Sequence, residues 1–413
     1  MLKDLGWFIL KDNLFVNCLY YLVYRFLIKN GRLKSMDEKD EKYLENHPAY
    51  TGFDFNSETS KEFVVKNSDA FEKNKGVALK GYTSGTSNTP LLVYRSISSV
   101  IYDELSLRAH WYSVGVGCNP KIATLRGDNL FHGDYDGDIY WKKMPFTRRL
   151  IMSSFHLNEN TIKAYLSALE REKPEIILAY PSAILTMAKF AHSIGWTPNW
   201  NFKGVFTSGE SFSNEQQKQV KKVFKNVFDH YGQAERVSRL QQCHQGNYHF
   251  VEWYSKVEVI EKNATHSTVL GTNFRNRAMP LYRYNAGDLV SNEPENQTPC
   301  LCGNKSKYVS EVIGRVGAEL SLNNGSTIST PALSLLFYGI SNISEAQVVQ
   351  RLDKSVEVRY STISGVIDAV VEKELLNSFE SRLGKSMNIS VNYYSVIERT
   401  SAGKLLPLIV EQT

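Results

Sequence analysis

Ile176-Ile177-Leu178-Ala179-Tyr180-Pro181-Ser182-Ala183-Ile184-Leu185-Thr186-Met187-Ala188-Lys189-Phe190-Ala191 decides the architecture. Ile176–Ala179 is a short apolar run of strand length, and from Ser182 to Ile194 the apolar residues return at helical spacing. The neighbours repeat the alternation. Ile162–Arg171 has helical spacing, Val205–Thr207 reads as a strand, Asn214–Phe224 as a helix and Val227–Asp229 as a strand. Strands and helices that alternate this way form parallel strands joined by crossover helices.

Toward the N-terminus, Gly76–Tyr82 and Leu91–Arg95 read as two strands joined by the loop Thr83–Pro90, with polar surface helices and loops over residues 36–75. Leu14–Leu27 is apolar and aromatic, shorter than a bilayer span needs, and interrupted by Asn17 and Arg25. It reads as a helix buried on the protein body. The alternative is a helix lying on a membrane surface, which Tyr20, Tyr21, Tyr24 and Arg25 would suit. Toward the C-terminus, short β-rich runs (Lys256–Ile260, Thr268–Thr272) follow Val251. From about Arg315 a small α+β unit is expected, with strands Gln347–Leu352, Ser355–Tyr360 and Asn388–Tyr394 around a helix at Glu372–Leu383. The expected fold class is therefore α/β: a large multi-sheet core with parallel βαβ units over residues 1–314, and a small, mobile α+β lid over 315–413.

Composition narrows the function. A net charge of +5, with no dense Lys/Arg run, argues against a nucleic-acid partner. Five cysteines are too few, and odd in number, for a disulfide framework, so a reducing, cytoplasmic setting is expected. No signal peptide is read at the N-terminus, which Lys3, Asp4, Lys11 and Asp12 break up.

Thr83-Ser84-Gly85-Thr86-Ser87-Asn88-Thr89-Pro90 packs hydroxyls and a glycine into one loop. Its hydroxyl and backbone N–H groups suit phosphate oxygens, although it lacks the spacing of a Walker motif. Tyr231-Gly232-Gln233-Ala234-Glu235 follows a predicted strand, then come Tyr282-Arg283-Tyr284-Asn285-Ala286-Gly287-Asp288, Gly314-Arg315 and, near the end, Gly403-Lys404. Taken in order, these resemble the successive motifs of the acyl-adenylate-forming (AMP-binding) superfamily. Ala179-Tyr180-Pro181-Ser182, Thr207-Ser208-Gly209-Glu210 and Tyr231-Gly232-Gln233-Ala234-Glu235-Arg236 resemble its phenylacetate–CoA ligase branch, especially the CapK-like proteins encoded with capsule and other surface polysaccharides.

The resemblance implies ATP-dependent activation of a small carboxylic acid to acyl-AMP with release of pyrophosphate. Transfer to an amine on a sugar or amino acid, or to CoA, would follow. Thr83, Ser84, Gly85, Thr86 and Ser87 would hold phosphates, with Thr86 acting in catalysis. Gly209, Glu210, Tyr231, Gly232 and Gln233 would line the adenine pocket, and Glu235 would hold Mg2+. Asp288 and Arg315 would meet the ribose, Tyr180 and Ser208 the acid, and Lys404 would be the catalytic lysine. A pocket wall is expected around Trp111, Arg126, Phe131 and His132. The chain departs from the family pattern at Thr89, where the loop lysine is missing, at Ala234, where relatives carry a phosphate-binding Thr, and at Val316-Gly317-Ala318, where the hinge lacks its acidic pair. An acyl-CoA ligase and a nucleotide-binding protein without catalysis therefore remain as alternative readings.

Cys243, His249, Cys300 and Cys302 supply the four N/S ligands of a structural zinc site, with His244 a competitor for His249. The resembled branch often carries such a cluster in this region.

Overall fold

The computed structural model describes residues 12–82, 91–126, 139–154, 156–294 and 298–315, and, in the C-terminal part, 319–323, 327–329, 333, 335–337, 340–384, 386–400 and 403–411. The loop 83–90, Phe131, His132 and the hinge 316–318 lie outside these residues.

The chain begins with α1 (Leu14–Val23), continued by a π-helical turn over Tyr24–Ile28, and then α2–α4 (Glu38–Glu45, Lys61–Lys66, Ser68–Asn74). Two strands, β1 (Ala78–Tyr82) and β2 (Leu92–Ser96), pair antiparallel with Tyr82 opposite Leu92. After α5 (Ile97–Ser113) the sequence enters the central sheet. Its strands are β3 (Ile122–Arg126), β4 (Trp141–Lys143), β5 (Arg149–Ser153), β6 (Ile176–Ala179), β7 (Gly204–Ser208), β8 (Val227–Gly232), β9 (Arg239–Gln242) and β10 (Tyr248–Phe250). Helices α6 (Ile162–Glu172), α7 (Pro181–Ser193) and α8 (Asn214–Lys221) cross between the parallel strands. With β14 (Tyr308–Val309) the order is β14-β10-β9-β8-β7-β6-β3-β5-β4, parallel from β8 to β5 and antiparallel toward both edges. β6 spans Ile176–Ala179 as the sequence predicts, and all four of its residues are buried. Its two covered faces explain the unbroken apolar run. The largest core cluster joins this sheet to α6 and α7 through Leu125, Met152, Tyr165, Leu169, Ile177, Ile184 and Phe224.

A second, antiparallel sheet runs β11-β12-β13-β15 (Lys256–Glu261, His266–Thr272, Tyr284–Ser291, Val312–Arg315) and sets Asp288 opposite Arg315. The C-terminal unit has its own core, built on Leu320, Val348, Val358, Tyr360, Leu375 and Phe379. A short hairpin, β16–β17 (Glu319–Ser321, Thr327–Ser329), precedes the sheet β20-β19-β18-β21 (Ile389–Tyr393, Val356–Thr362, Ile343–Gln350, Leu408–Val410) and the helix α9 (Ala369–Leu383). The sequence reading finds three of these four strands and the helix. It misses β21, a three-residue strand that pairs parallel with β18 and is too short to show alternation.

The N-terminal helix corrects the sequence reading. Among its residues only Asn17 is buried, and its large apolar side chains face outward. Trp111 is likewise no pocket wall: it lies in α5, buried against Phe206 in the core.

Candidate functional site

In an open parallel sheet, ligands collect at the carboxyl ends of the strands. Here those ends deliver Arg126 (β3), Tyr180 (just after β6), Ser208 and Gly209 (end of β7) and Tyr231–Gly232 (end of β8) to one edge. Arg126 donates to the Ser208 hydroxyl at 2.8 Å and its guanidinium lies 5.5 Å from the Tyr180 ring centre.

Lys404 reaches this edge from the C-terminal unit. Its Nζ is 6.0 Å from the Tyr180 ring centre, and its Cε and Nζ pass over Gly209 so closely that a Cβ there would sit 3.4 Å from both. Gly209 also has φ +85°, a conformation that favours glycine. The residues that follow Gly209 and Lys404 hold the arrangement. The Glu210 carboxylate accepts from Leu405 N–H at 3.0 Å and, on the core side, from the Ser182 N–H and hydroxyl at 2.8 and 3.1 Å. Burial pushes the Glu210 pKa up, against these donors and the nearby Arg399 charge, which draw it down. Glu210, expected in the adenine pocket, thus has its carboxylate engaged in joining the two units.

Ser182, Thr186 and Lys189 extend that junction along one face of α7 at i, i+4 and i+7. Arg399 donates to the Ser182 hydroxyl (3.1 Å) and pairs with Glu345, which also accepts from the Thr186 hydroxyl (3.0 Å). Lys189 donates to the carbonyls of Ile343 and Ser344 at 2.7 and 3.0 Å, and burial lowers its pKa to about 8. Sequence reasoning missed this set. The signal was present as a polar stripe on an otherwise apolar helix.

The predicted nucleotide residues meet at the other end of the edge. Tyr231 donates to the Asp288 carboxylate at 2.6 Å, although 57 residues separate them, and the Gln233 amide donates to the Tyr231 hydroxyl. Asp288 is buried, and Gly232 lies so near the Arg239 guanidinium that a Cβ would approach it to 3.2 Å. Glu235 is buried, with the Tyr284 hydroxyl 3.4 Å from its carboxylate and its carbonyl accepting from Asn273. Arg95, from β2, donates to the Ala234 carbonyl at 3.0 Å and so brings a cation beside Glu235 that the sequence reading overlooked. Thr83, Ser84, Gly85, Thr86 and Ser87 lie outside the described residues.

Cys243, His249, Cys300 and Cys302 converge, with their ligand atoms all within 4.8 Å of one another. Cys302 Sγ is 3.2 Å from His249 Nε2 and Cys243 Sγ is 3.9 Å from Cys300 Sγ. His249 Nδ1 lies 3.2 Å from the Ser306 carbonyl, a bond that fixes the tautomer with Nε2 facing the thiols, and burial lowers its pKa, against that hydrogen bond. Turns at Gly246 (φ +90°) and Gly303 (φ +82°) curl the chain around the thiols. His244 is exposed and takes no part in the cluster. Three thiols and one imidazole at this spacing fit a tetrahedral zinc ion, whose bonds of about 2.0–2.3 Å would draw them slightly inward.

The carboxyl edge of a parallel sheet, faced by a small α+β unit that carries a lysine, frames the candidate site. The fold is that seen in acyl-adenylate-forming ligases. 2-Hydroxyisobutyryl-CoA ligase, solved in its post-adenylation state with an acyl-adenylate, matches with a TM-score of 0.64 at 16% identity, over 90% of this chain and 87% of that one. An anthranilate CoA ligase with anthranoyl-AMP matches with a TM-score of 0.52 at 14% identity, over 79% and 64%. The C-terminal unit is similar to that of CapK. Residues 320–411 match the CapK C-terminal domain, and protein CapK of Staphylococcus aureus is 22% identical over 354 residues, 84% of this chain and 78% of that protein. Among the described residues no helix is long and apolar enough to cross a membrane.

Proposed function

We propose that the protein activates a small carboxylic acid with ATP, forming acyl-AMP and pyrophosphate, and passes the acyl group to an acceptor nucleophile. The observation that carries this is the convergence of Lys404, Gly209, Tyr180 and Glu210 from two units at the carboxyl edge of the parallel sheet, beside the coupled Tyr231–Asp288 pair. The conformation agrees with it. The same 2-hydroxyisobutyryl-CoA ligase gives a TM-score of 0.64 in its post-adenylation state and 0.51 in its thioesterification state, which supports a reading with the units disposed as in the former.

In this reading Asp288 accepts hydrogen bonds from the ribose hydroxyls, Arg315 also reaches the ribose, Tyr231 lies against adenine, and Thr83–Ser87 hold the phosphates. Tyr180 and Ser208 wall the acid site, where Arg126 orients a carboxylate. Glu235 would hold Mg2+, which supplies charge neutralisation at the phosphates; one buried carboxylate beside phosphate oxygens suits that ion. Lys404 places its ammonium between the acid oxygen and the α-phosphate, where negative charge builds in the transition state. A zinc ion at Cys243, His249, Cys300 and Cys302 would be structural, because four protein ligands leave no open position.

In this reading the setting, suggested by the CapK name alone, is surface or capsular polysaccharide synthesis, and the acceptor is an amine on a sugar or amino acid. CoA is the second reading, favoured by the CoA ligases that share the fold. Pyrophosphate release from ATP with a panel of hydroxy, aromatic and amino acids tests the first half-reaction. Mass spectrometry of the product, amide against thioester, separates the acceptors. No release and no ATP binding would leave only a scaffold.

A further inference from the structure

We infer that α1 and the π-helical turn after it form a docking face for an anionic lipid surface. Phe15, Leu19, Leu22 and Phe26 recur at i, i+4, i+7 and i+11 on one side of the helix and are 77, 52, 51 and 60% exposed. An isolated exposed leucine means little, but four bulky apolar residues in line along about three turns are the buried stripe of an amphipathic helix turned outward.

The helix cannot roll to hide them, because its opposite face is fixed to the body by polar and aromatic anchors. Asn17 is buried, donates to the Asp12 carbonyl and to Asn119, both at 3.1 Å, and accepts from Arg108 at 3.2 Å. Tyr20 lies 4.8 Å beneath the Arg108 guanidinium, and Tyr21 and Tyr24 pack on Tyr112 at 5.0 and 5.3 Å. Arg108 and Arg149 both pair with Asp12 just ahead of the helix, at 2.8 Å each.

Charge selects the occupant. Residues 13–36 contain no acidic side chain, while Arg25, Lys29, Arg32 and Lys34 are all exposed beside or just beyond the stripe. A second copy meeting this face about a twofold axis would set basic flank near basic flank. An anionic bilayer surface accepts the apolar stripe among its acyl chains and the cations among its headgroups.

The test is co-sedimentation of the full chain with phosphatidylcholine vesicles, with and without about 30% phosphatidylglycerol. The protein should pellet with the anionic vesicles at least about tenfold better than with the neutral ones, and salt raised from about 0.1 to about 1 M should release it. Phe15→Ser, Leu19→Ser, Leu22→Ser and Phe26→Ser combined should lower binding at least about tenfold at an unchanged melting temperature, because the side chains removed are exposed. Should that variant misfold, Lys29→Glu with Arg32→Glu decides instead: it keeps the stripe and should abolish the preference for anionic vesicles. A wild-type chain that stays in the supernatant with every vesicle overturns the proposal. So does a wild-type dimer that ignores vesicles and that the four-residue variant converts to monomer, since the stripe is then a self-contact.

Discussion

Asp229 sits wholly inside the sheet, where its carboxylate takes hydrogen bonds from the Thr207 and Tyr248 hydroxyls at 2.6 and 3.0 Å. Burial pushes its pKa up to about 7, against those donors, which pull it down. The folded chain therefore holds a proton that the unfolded chain releases between the ordinary carboxylate range and about pH 7. The stability that proton brings is complete below that window and falls as pH rises through it. Across this window, from pH 4 to 8, the wild type should lose melting temperature relative to Asp229→Asn, which cannot titrate; a difference between the two that does not change with pH would place the titration elsewhere. Asp288 acts at the same scale: Asp288→Ala should weaken ATP binding by about 1.5–3 kcal/mol, measured by calorimetry, because a charge-assisted hydrogen bond of that size is removed. Single residues such as Tyr231 and Asp288 were legible because their neighbours in sequence carry a motif. Arg95, Ser182 and Arg399 were not, because their partners are 139, 28 and 54 residues away (Ala234, Glu210, Glu345) and nothing local announces the contact.

Among the elements, β6, β7 and β8 were readable because both faces of each are covered, which leaves a run of apolar residues bounded by turns. α1 misled for a related reason: apolar periodicity reveals that a helix has an apolar side, not which way that side points. The cysteine turns are the element where spacing came nearest to the candidate ligand set, because Cys-x5-His and Cys-x-Cys each make a local loop that needs only to meet the other; the choice of His249 over His244 came from the fold. Purified protein should carry about one zinc per chain. Cys302→Ser should lower the melting temperature by several degrees before it touches ATP binding, since structural zinc is folding energy; metal-free protein with unchanged melting would count against the site. The polar stripe of α7 makes a further prediction. Ser182→Ala leaves Glu210 and Arg399 each short of a partner and should loosen the docked C-terminal unit by about 1–3 kcal/mol, seen as faster hydrogen exchange over residues 403–411 with the core unchanged. Equal exchange in variant and wild type would mean that the stripe does not hold the junction.

At the scale of the whole molecule the core and the C-terminal unit each have their own hydrophobic cluster, while polar bonds and ion pairs contribute much of their junction, through Glu210, Arg399, Glu345 and Lys189. A junction of that kind can part without exposing a large apolar surface, which suits a unit that closes for one chemical step and turns away for the next. The α/β core and the α+β unit were both visible in the sequence pattern; their docking was not, because it depends on side chains that only the fold brings together. The central claim is that this docking delivers Lys404 to the reacting carboxylate. It is tested most directly by the two half-reactions of Lys404→Ala, measured as ATP-dependent pyrophosphate release and as acyl transfer from acyl-AMP supplied ready-made. The account predicts a loss of about two or more orders of magnitude in the first, the scale of a deleted transition-state contact, with ATP binding, zinc content and the second half-reaction nearly intact. Equal activity of variant and wild type in the first half-reaction would contradict it.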